Sequence, residues 1–141
     1  MACDDSRAVR RLFSRVARIL PVDADRAAAS GLALGRAALD RGFDLVWFPE
    51  GARSTDGKLQ RFLPGIGALV EQRPVPIIPV YIDGGFAAWP VDQRFPRRAS
   101  ITVRFGPPIW PQTVAGDATG RERDDRIAAA VQAAVAALAA K

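Results

Sequence analysis

The residues best placed to do chemistry sit at the end of one apolar run. Asp44-Leu45-Val46-Trp47-Phe48 is followed by Pro49-Glu50-Gly51-Ala52-Arg53-Ser54. The run is bounded by Gly42 and by Pro49-Gly51, and it predicts a short buried strand. Pro49 ends it, since proline has no N–H to give to a ladder. Glu50 and Arg53 then fall just past the strand end. Gly51 lets backbone approach closely between them. Ligands of open α/β sheets bind beyond the carboxyl ends of the strands, and an arginine there can grip a phosphate or carboxylate with two parallel hydrogen bonds. The competing reading is a surface turn closed by a Glu50–Arg53 ion pair, which contributes little.

Phe48-Pro49-Glu50-Gly51-Ala52-Arg53-Ser54 resembles the third signature block of the phospholipid/glycerol acyltransferase family, Phe-Pro-Glu-Gly-Thr-Arg-Ser, with Ala52 in the threonine position. Gly57-Lys58-Leu59-Gln60-Arg61-Phe62-Leu63-Pro64-Gly65 is similar to the family's continuation, and Val75-Pro76-Ile77-Ile78-Pro79-Val80-Tyr81-Ile82 to its fourth block. The resemblance is 1-acylglycerol-3-phosphate acyltransferase-like and runs from about Arg15 to Pro108. It implies an α/β fold with a mixed, largely parallel sheet flanked by helices. It also implies transfer of a fatty acyl group from acyl-CoA or acyl-carrier protein to the hydroxyl of a lysophospholipid or glycerol phosphate, in phospholipid biosynthesis. By the same resemblance Glu50, Gly51, Arg53 and Ser54 belong to acceptor binding, and Pro76 and Pro79 shape the wall near the acyl chain. The family's second block ends on a phosphate-binding arginine. Ala24 aligns with it here and Arg26 lies two residues on, so Arg26 is a secondary phosphate candidate. Asp23 or Asp25 capping the next helix is the competing reading of that stretch.

The family's catalytic block, His-x4-Asp, is absent, because the sequence contains no histidine. The resemblance is therefore to the C-terminal portion of the domain, N-terminally truncated, with no catalytic residue assigned. An exposed carboxylate, titrating near pH 4, is a poor base at neutral pH. An enzyme inactive as this chain alone is one expectation. A non-catalytic relic that binds anionic lipid or acyl-CoA is the other. No cofactor is expected.

The elements that must position these groups follow in order. Val9, Leu12, Phe13 and Val16 predict a helix over 6–18 whose other faces carry Arg7, Arg10, Arg11, Arg15 and Arg18. Such a helix can pack on a sheet or lie on a membrane surface. Residues 18–22 predict a short strand. Ala28, Leu32, Gly35 and Leu39 share one face of a helix over 26–40, ended by Arg41-Gly42. That strand–helix–strand run has the size of a βαβ unit, which argues for parallel strands. Residues 65–72 predict a short helix after Pro64, with Ile66, Leu69 and Val70 on one face. Val75–Ile82 predicts a fully buried strand, at odds with Pro76 and Pro79. Phe86 and Trp89 follow in a loop, either capping the core or lining an acyl groove, the core being favoured. Ile101–Phe105 alternates as a half-buried strand, and 111–120 reads as a linker. Ile127, Val131, Val135 and Leu138 mark an amphipathic C-terminal helix over 121–140. The whole of 1–141 is read as a single, partial acyltransferase domain.

Composition bounds the rest. Hydrophobic residues make up 49% and charged residues 25%, ordinary for a globular chain. No apolar run reaches transmembrane length, and the first residues have no secretory pattern. Cys3 is the single cysteine, so no internal disulfide or cysteine metal cluster is expected. The cytoplasm is the default compartment, with the inner face of a membrane as a peripheral site. Net charge is +5, and residues 94–104 hold four arginines and no acid. Such a balance attracts polyanions. A nucleic-acid partner is not expected, since no recognition motif appears.

Overall fold

The computed structural model describes residues 27–140. The helix expected over 26–40 is α1, Ala27–Asp40. Gly31, Gly35 and Leu39 are buried along one face, with Leu32 half-buried beside them. The helix closes where the amide of Phe43 reaches back to the Ala38 carbonyl at 3.1 Å and that of Gly42 to Leu39 at 2.9 Å. Gly42 takes φ +78° to allow this turn, which a residue with a Cβ resists.

Residues 43–48 form no ladder among the described residues, so the expected buried strand is corrected. Its side chains alternate: Leu45 and Trp47 are half-buried against α1, whereas Val46 is 81% and Phe48 66% exposed. A strand buried on both faces needs a layer on each, and here only one face is covered. The helix expected at 65–72 is the shorter α2, Gly65–Leu69, entered through Pro64. Ile66, Leu69 and Val70 are buried as their spacing predicts.

The strand expected at 75–82 is also corrected. Regular pairing starts only at β1, Val80–Asp83. Before it, Ile77 makes an isolated bridge with Ile109, donating at 2.9 Å and accepting at 2.8 Å. Pro76 and Pro79 flank that bridge. Pro79, at the next position that faces the partner strand, has no N–H, so the ladder cannot run on regularly from Ile77. Two-sided burial fails as well, with Ile78 and Ile82 about half exposed.

A short helix α3 (Gly85–Ala88) and a loop lead to β2, Thr102–Phe105, which pairs antiparallel with β1 in the register Val80↔Phe105 to Asp83↔Thr102. This pair is the regular sheet of the described residues. The alternation expected in β2 reverses. Val103 and Phe105 are exposed, and Arg104 is the covered residue, stacked over its partner Tyr81 at 5.9 Å. The expected linker contains a helix, α4 (Pro111–Ala115), with proline at its first position.

The chain ends in α5, Gly120–Ala139. Its buried stripe is Ile127, Ala128, Val131, Val135 and Leu138. With Phe62, Ile66, Val70 and Ala115 most of this stripe forms the core. Arginines tie the helix ends together. Arg36 donates to the Ala68 carbonyl at 2.6 Å, Arg123 to that of Gly67 at 3.0 Å, and Arg126 to that of Ala115 at 3.2 Å. Each adds a side-chain donor to a carbonyl at a helix end that already accepts from a backbone amide. No helix among the described residues is long and apolar enough to cross a membrane.

Candidate functional site

The loop from Pro49 to Leu63 is a closed unit built by its own polar groups. The Leu63 amide donates to the Pro49 carbonyl at 2.8 Å, and the Gly51 amide to Phe48 at 3.2 Å. Gly51 adopts φ +73°, and a Cβ there would stand 2.7 Å from Leu63 Cδ1. The glycine is required by its backbone angle, while the exposed end of the Leu63 side chain could turn away from a Cβ.

Glu50 and Arg53 do not pair with each other. The Glu50 carboxylate accepts from the Gln60 amide at 2.7 Å and braces the far side of the loop. Arg53 swings the other way. Its guanidinium donates to the Trp89 carbonyl and lies over the indole ring, 5.0 Å from the centroid. The surface ion pair weighed from the sequence is therefore corrected, each partner having a different long-range contact. Trp89 and Phe86 are likewise corrected as core residues, at 45% and 38% exposed. The Trp89 indole N–H donates to the Gln93 carbonyl at 2.8 Å, which fixes the ring that Arg53 stacks on.

Ser54 is turned into the loop. Its hydroxyl donates to Asp56 Oδ1 at 3.0 Å, which also accepts from the Lys58 amide at 3.0 Å and from Gln60 Nε2 at 3.0 Å. The Lys58 amide and then the Ser54 hydroxyl hold the Asp56 carboxyl below its usual range. Asp56 and Gln60 were not singled out by sequence reasoning. The Asp-Gly-Lys-x-Gln spacing, with the turn glycine Gly57 directly after Asp56, was the available signal, since Asp side chains cap their own turns. The Phe62 amide donates to Gln132 Oε1 of α5 at 3.0 Å, anchoring the loop to the C-terminal helix.

A cleft of about 1030 Å³ opens beside the loop. Phe43, Val46, Phe48, Ile78 and Ile82 contribute its apolar wall, and Glu50, Ser54 and Lys58 its polar rim. Pro76 and Pro79 both line it; Pro76 is exposed, and Pro79 is buried with its carbonyl accepting from Gly106 at 2.9 Å. Phe86 reaches the same cleft over Gly57. Gly51 and Arg53 are not part of its lining. Arg26 lies outside the described residues, as do Asp23, Asp25, the expected helix over 6–18 and the strand at 18–22. No group of His, Cys, Asp and Glu among the described residues could hold a metal ion.

The sequence pattern of the Acyltransferase family matches residues 5–83, which include both the Phe48–Ser54 block and the Val75–Ile82 block. The 1-acyl-sn-glycerol-3-phosphate acyltransferase of Limnanthes douglasii is 38% identical over 74 residues, covering 52% of this chain and 26% of that protein. The enzyme of the same description from Cocos nucifera is 36% identical over 76 residues, covering 54% and 25%. Among solved structures, the 1-acyl-sn-glycerophosphate acyltransferase PlsC from Thermotoga maritima superposes with a TM-score of 0.62 at 25% identity, over 78% of this chain and 44% of PlsC. The chain belongs to the Acyltransferase family and is 1-acylglycerol-3-phosphate acyltransferase-like. Its α/β fold class, expected from the sequence, is that of PlsC. It spans about a quarter of the length of the curated relatives and under half of PlsC.

Proposed function

We propose that this chain carries the acceptor-binding part of an acyltransferase site. Arg53 grips the phosphate of a lysophospholipid or glycerol phosphate, and the adjoining cleft receives apolar chain. The observation that carries this is Arg53, held on Trp89 beyond the 43–48 segment, next to an apolar cleft with a polar rim. A guanidinium has five N–H donors, and Trp89 engages one of its nitrogens. The remaining donors suit an anion.

In the transfer this family is named for, the acceptor hydroxyl oxygen bonds to the acyl carbon of a thioester. The carbon–sulfur bond breaks, and the hydroxyl proton ends on the departing thiolate. The step needs a base, donors for the developing oxyanion and cations that fix the acceptor. Glu50 keeps the loop shape through Gln60, Gly51 allows the turn, and Arg53 supplies the cation. The sequence has no histidine to serve as base. We therefore propose that this chain alone transfers no acyl group from acyl-CoA to lysophosphatidate, and that turnover requires a segment bearing His-x4-Asp. A binding-only protein is the second reading, favoured by the same missing base.

Titration calorimetry with lysophosphatidate below its micelle concentration tests the shared part. Arg53→Ala is expected to weaken binding about tenfold, since charge-assisted contacts contribute about 1.5–3 kcal/mol. Unchanged affinity rejects the role of Arg53. Turnover by the pure chain rejects the proposed inactivity.

A further inference from the structure

The short helix α3 touches both parts of the candidate site, and it is held at its entry and its exit. Gly84, at φ +80°, lies directly against the Ser100 carbonyl, a place with no room for a Cβ. At the other end the Ala88 carbonyl accepts from the Arg97 amide at 2.8 Å. One helical turn joins these ties. It is closed by the Ala88 amide on the Gly84 carbonyl at 2.9 Å and by the Trp89 amide on the Gly85 carbonyl at 3.0 Å. The turn is thus a fixed mount for its side chains.

Two aromatic residues of this mount meet the loop from Pro49 to Leu63. Trp89 holds Arg53 by its carbonyl and its ring. Phe86 lies on Gly57, where a Cβ would stand 3.1 Å from Phe86 Cδ1. Phe86 and Trp89 are three residues apart, so they share a face, with Cβ atoms about 5–6 Å from each other. Their common partner, a single loop, agrees with that. The Phe86 ring keeps 38% of its surface exposed and borders the apolar cleft beside Phe48 and Ile82. One face of α3 therefore carries the residue that fixes the anion-binding arginine and a residue open to the cleft.

We propose that Phe86 is the specificity-determining residue by which this site prefers an acceptor that already carries an apolar chain over one that carries none. The inference rests on the reading of Arg53 as the phosphate-binding group and names which acceptor that group receives. With the phosphate on Arg53, the Phe86 ring meets the methylenes nearest the ester. Covering the exposed part of the ring removes apolar surface from water. Glycerol phosphate has a polar backbone and leaves the ring wet. Because one turn fixes both Phe86 and Trp89, the ring stands in place before the acceptor arrives, and little ordering is lost on binding.

The test is a pair of titrations of the full chain, with octanoyl-glycerol phosphate, short enough to stay monomeric, and with glycerol phosphate. Both are followed by the indole N–H resonance of Trp89. Wild-type chain is expected to bind the octanoyl ligand at least about tenfold tighter. Phe86→Ala is expected to cut that preference about fivefold, with the loss falling on the octanoyl ligand. Phe86→Leu keeps an apolar side chain at the position and is expected to restore most of the preference. Circular dichroism of both variants should match wild type, since the ring is over a third exposed. Equal affinity of wild-type chain for the two ligands overturns the proposal, and so does undiminished affinity of Phe86→Ala for the octanoyl ligand. An equal loss for both ligands overturns it as well, since Phe86 would then only brace the loop through Gly57. Arg53→Ala separates the two readings. If it changes neither affinity while Phe86→Ala still weakens the octanoyl ligand alone, the phosphate role of Arg53 fails and the role of Phe86 stands.

Discussion

Arg53 is the residue on which the reading of the site turns, and its partner decides what it can do. An exposed arginine on a flexible stem loses rotamer freedom when it grips a ligand, and pre-placing it lowers that loss. Trp89 does the pre-placing in two ways, with its carbonyl and with its ring. Substitution separates them, since the carbonyl survives any change of side chain. Trp89→Ala should weaken lysophosphatidate binding by about two- to fivefold, the worth of an exposed cation–π contact of about 0.5–1 kcal/mol. Trp89→Phe should recover part of the loss. Calorimetry on the two variants checks this, and equal affinities would mean that the ring does not position Arg53.

At the scale of the element, the loop from Pro49 to Leu63 behaves as one piece because its polar groups satisfy each other. Asp56 gathers three donors, and they prefer its charged form. A carboxyl held low in the folded loop stabilises it above the unfolded pKa, near 3.9. That contribution is lost as pH falls further, through the lower folded value. The resonances of the Lys58 backbone amide and the Gln60 side-chain amide should therefore titrate together below about pH 4, and Asp56→Asn should abolish the titration. The loop's tie to α5 is Gln132, whose side chain accepts from Phe62. Gln132→Ala leaves a half-buried amide without its partner and should destabilise the chain by about 1–3 kcal/mol. Urea unfolding measures it, and a shift below a few tenths would show that water replaces Gln132.

For the whole molecule, the imbalance is between a well-packed helical side and an open apolar one. α2, α4 and α5 bury their apolar positions in one core. Phe43, Val46, Phe48 and Phe105 stay more than half exposed around the cleft. Apolar surface of this kind is a binding site or an association hazard. The folded chain should bind a hydrophobic dye and show concentration-dependent sedimentation. Val46→Ser combined with Phe48→Ser should reduce both while leaving circular dichroism unchanged. Dye binding that survives the double change would place the reactive apolar surface elsewhere.

What the sequence by itself determined was local. The 3.6-residue spacing of Ile127, Val131, Val135 and Leu138 made the buried stripe of α5 legible, as the Arg41-Gly42 stop did for α1. Pro49, Gly51 and the Phe48–Ser54 block located the loop that carries the family resemblance. The partners within that loop depended on tertiary closure. Nothing near Arg53 in sequence announces Trp89, 36 residues on, and nothing near Phe62 announces Gln132, 70 residues on. The apolar runs at 44–48 and 75–82 were read as buried strands because composition reports what a segment would bury. Whether a second layer covers it is decided by packing. Here one face of each run is covered and the other is open. Pro79 then delays regular pairing to Val80–Asp83, since it has no N–H to give where its position faces the partner strand.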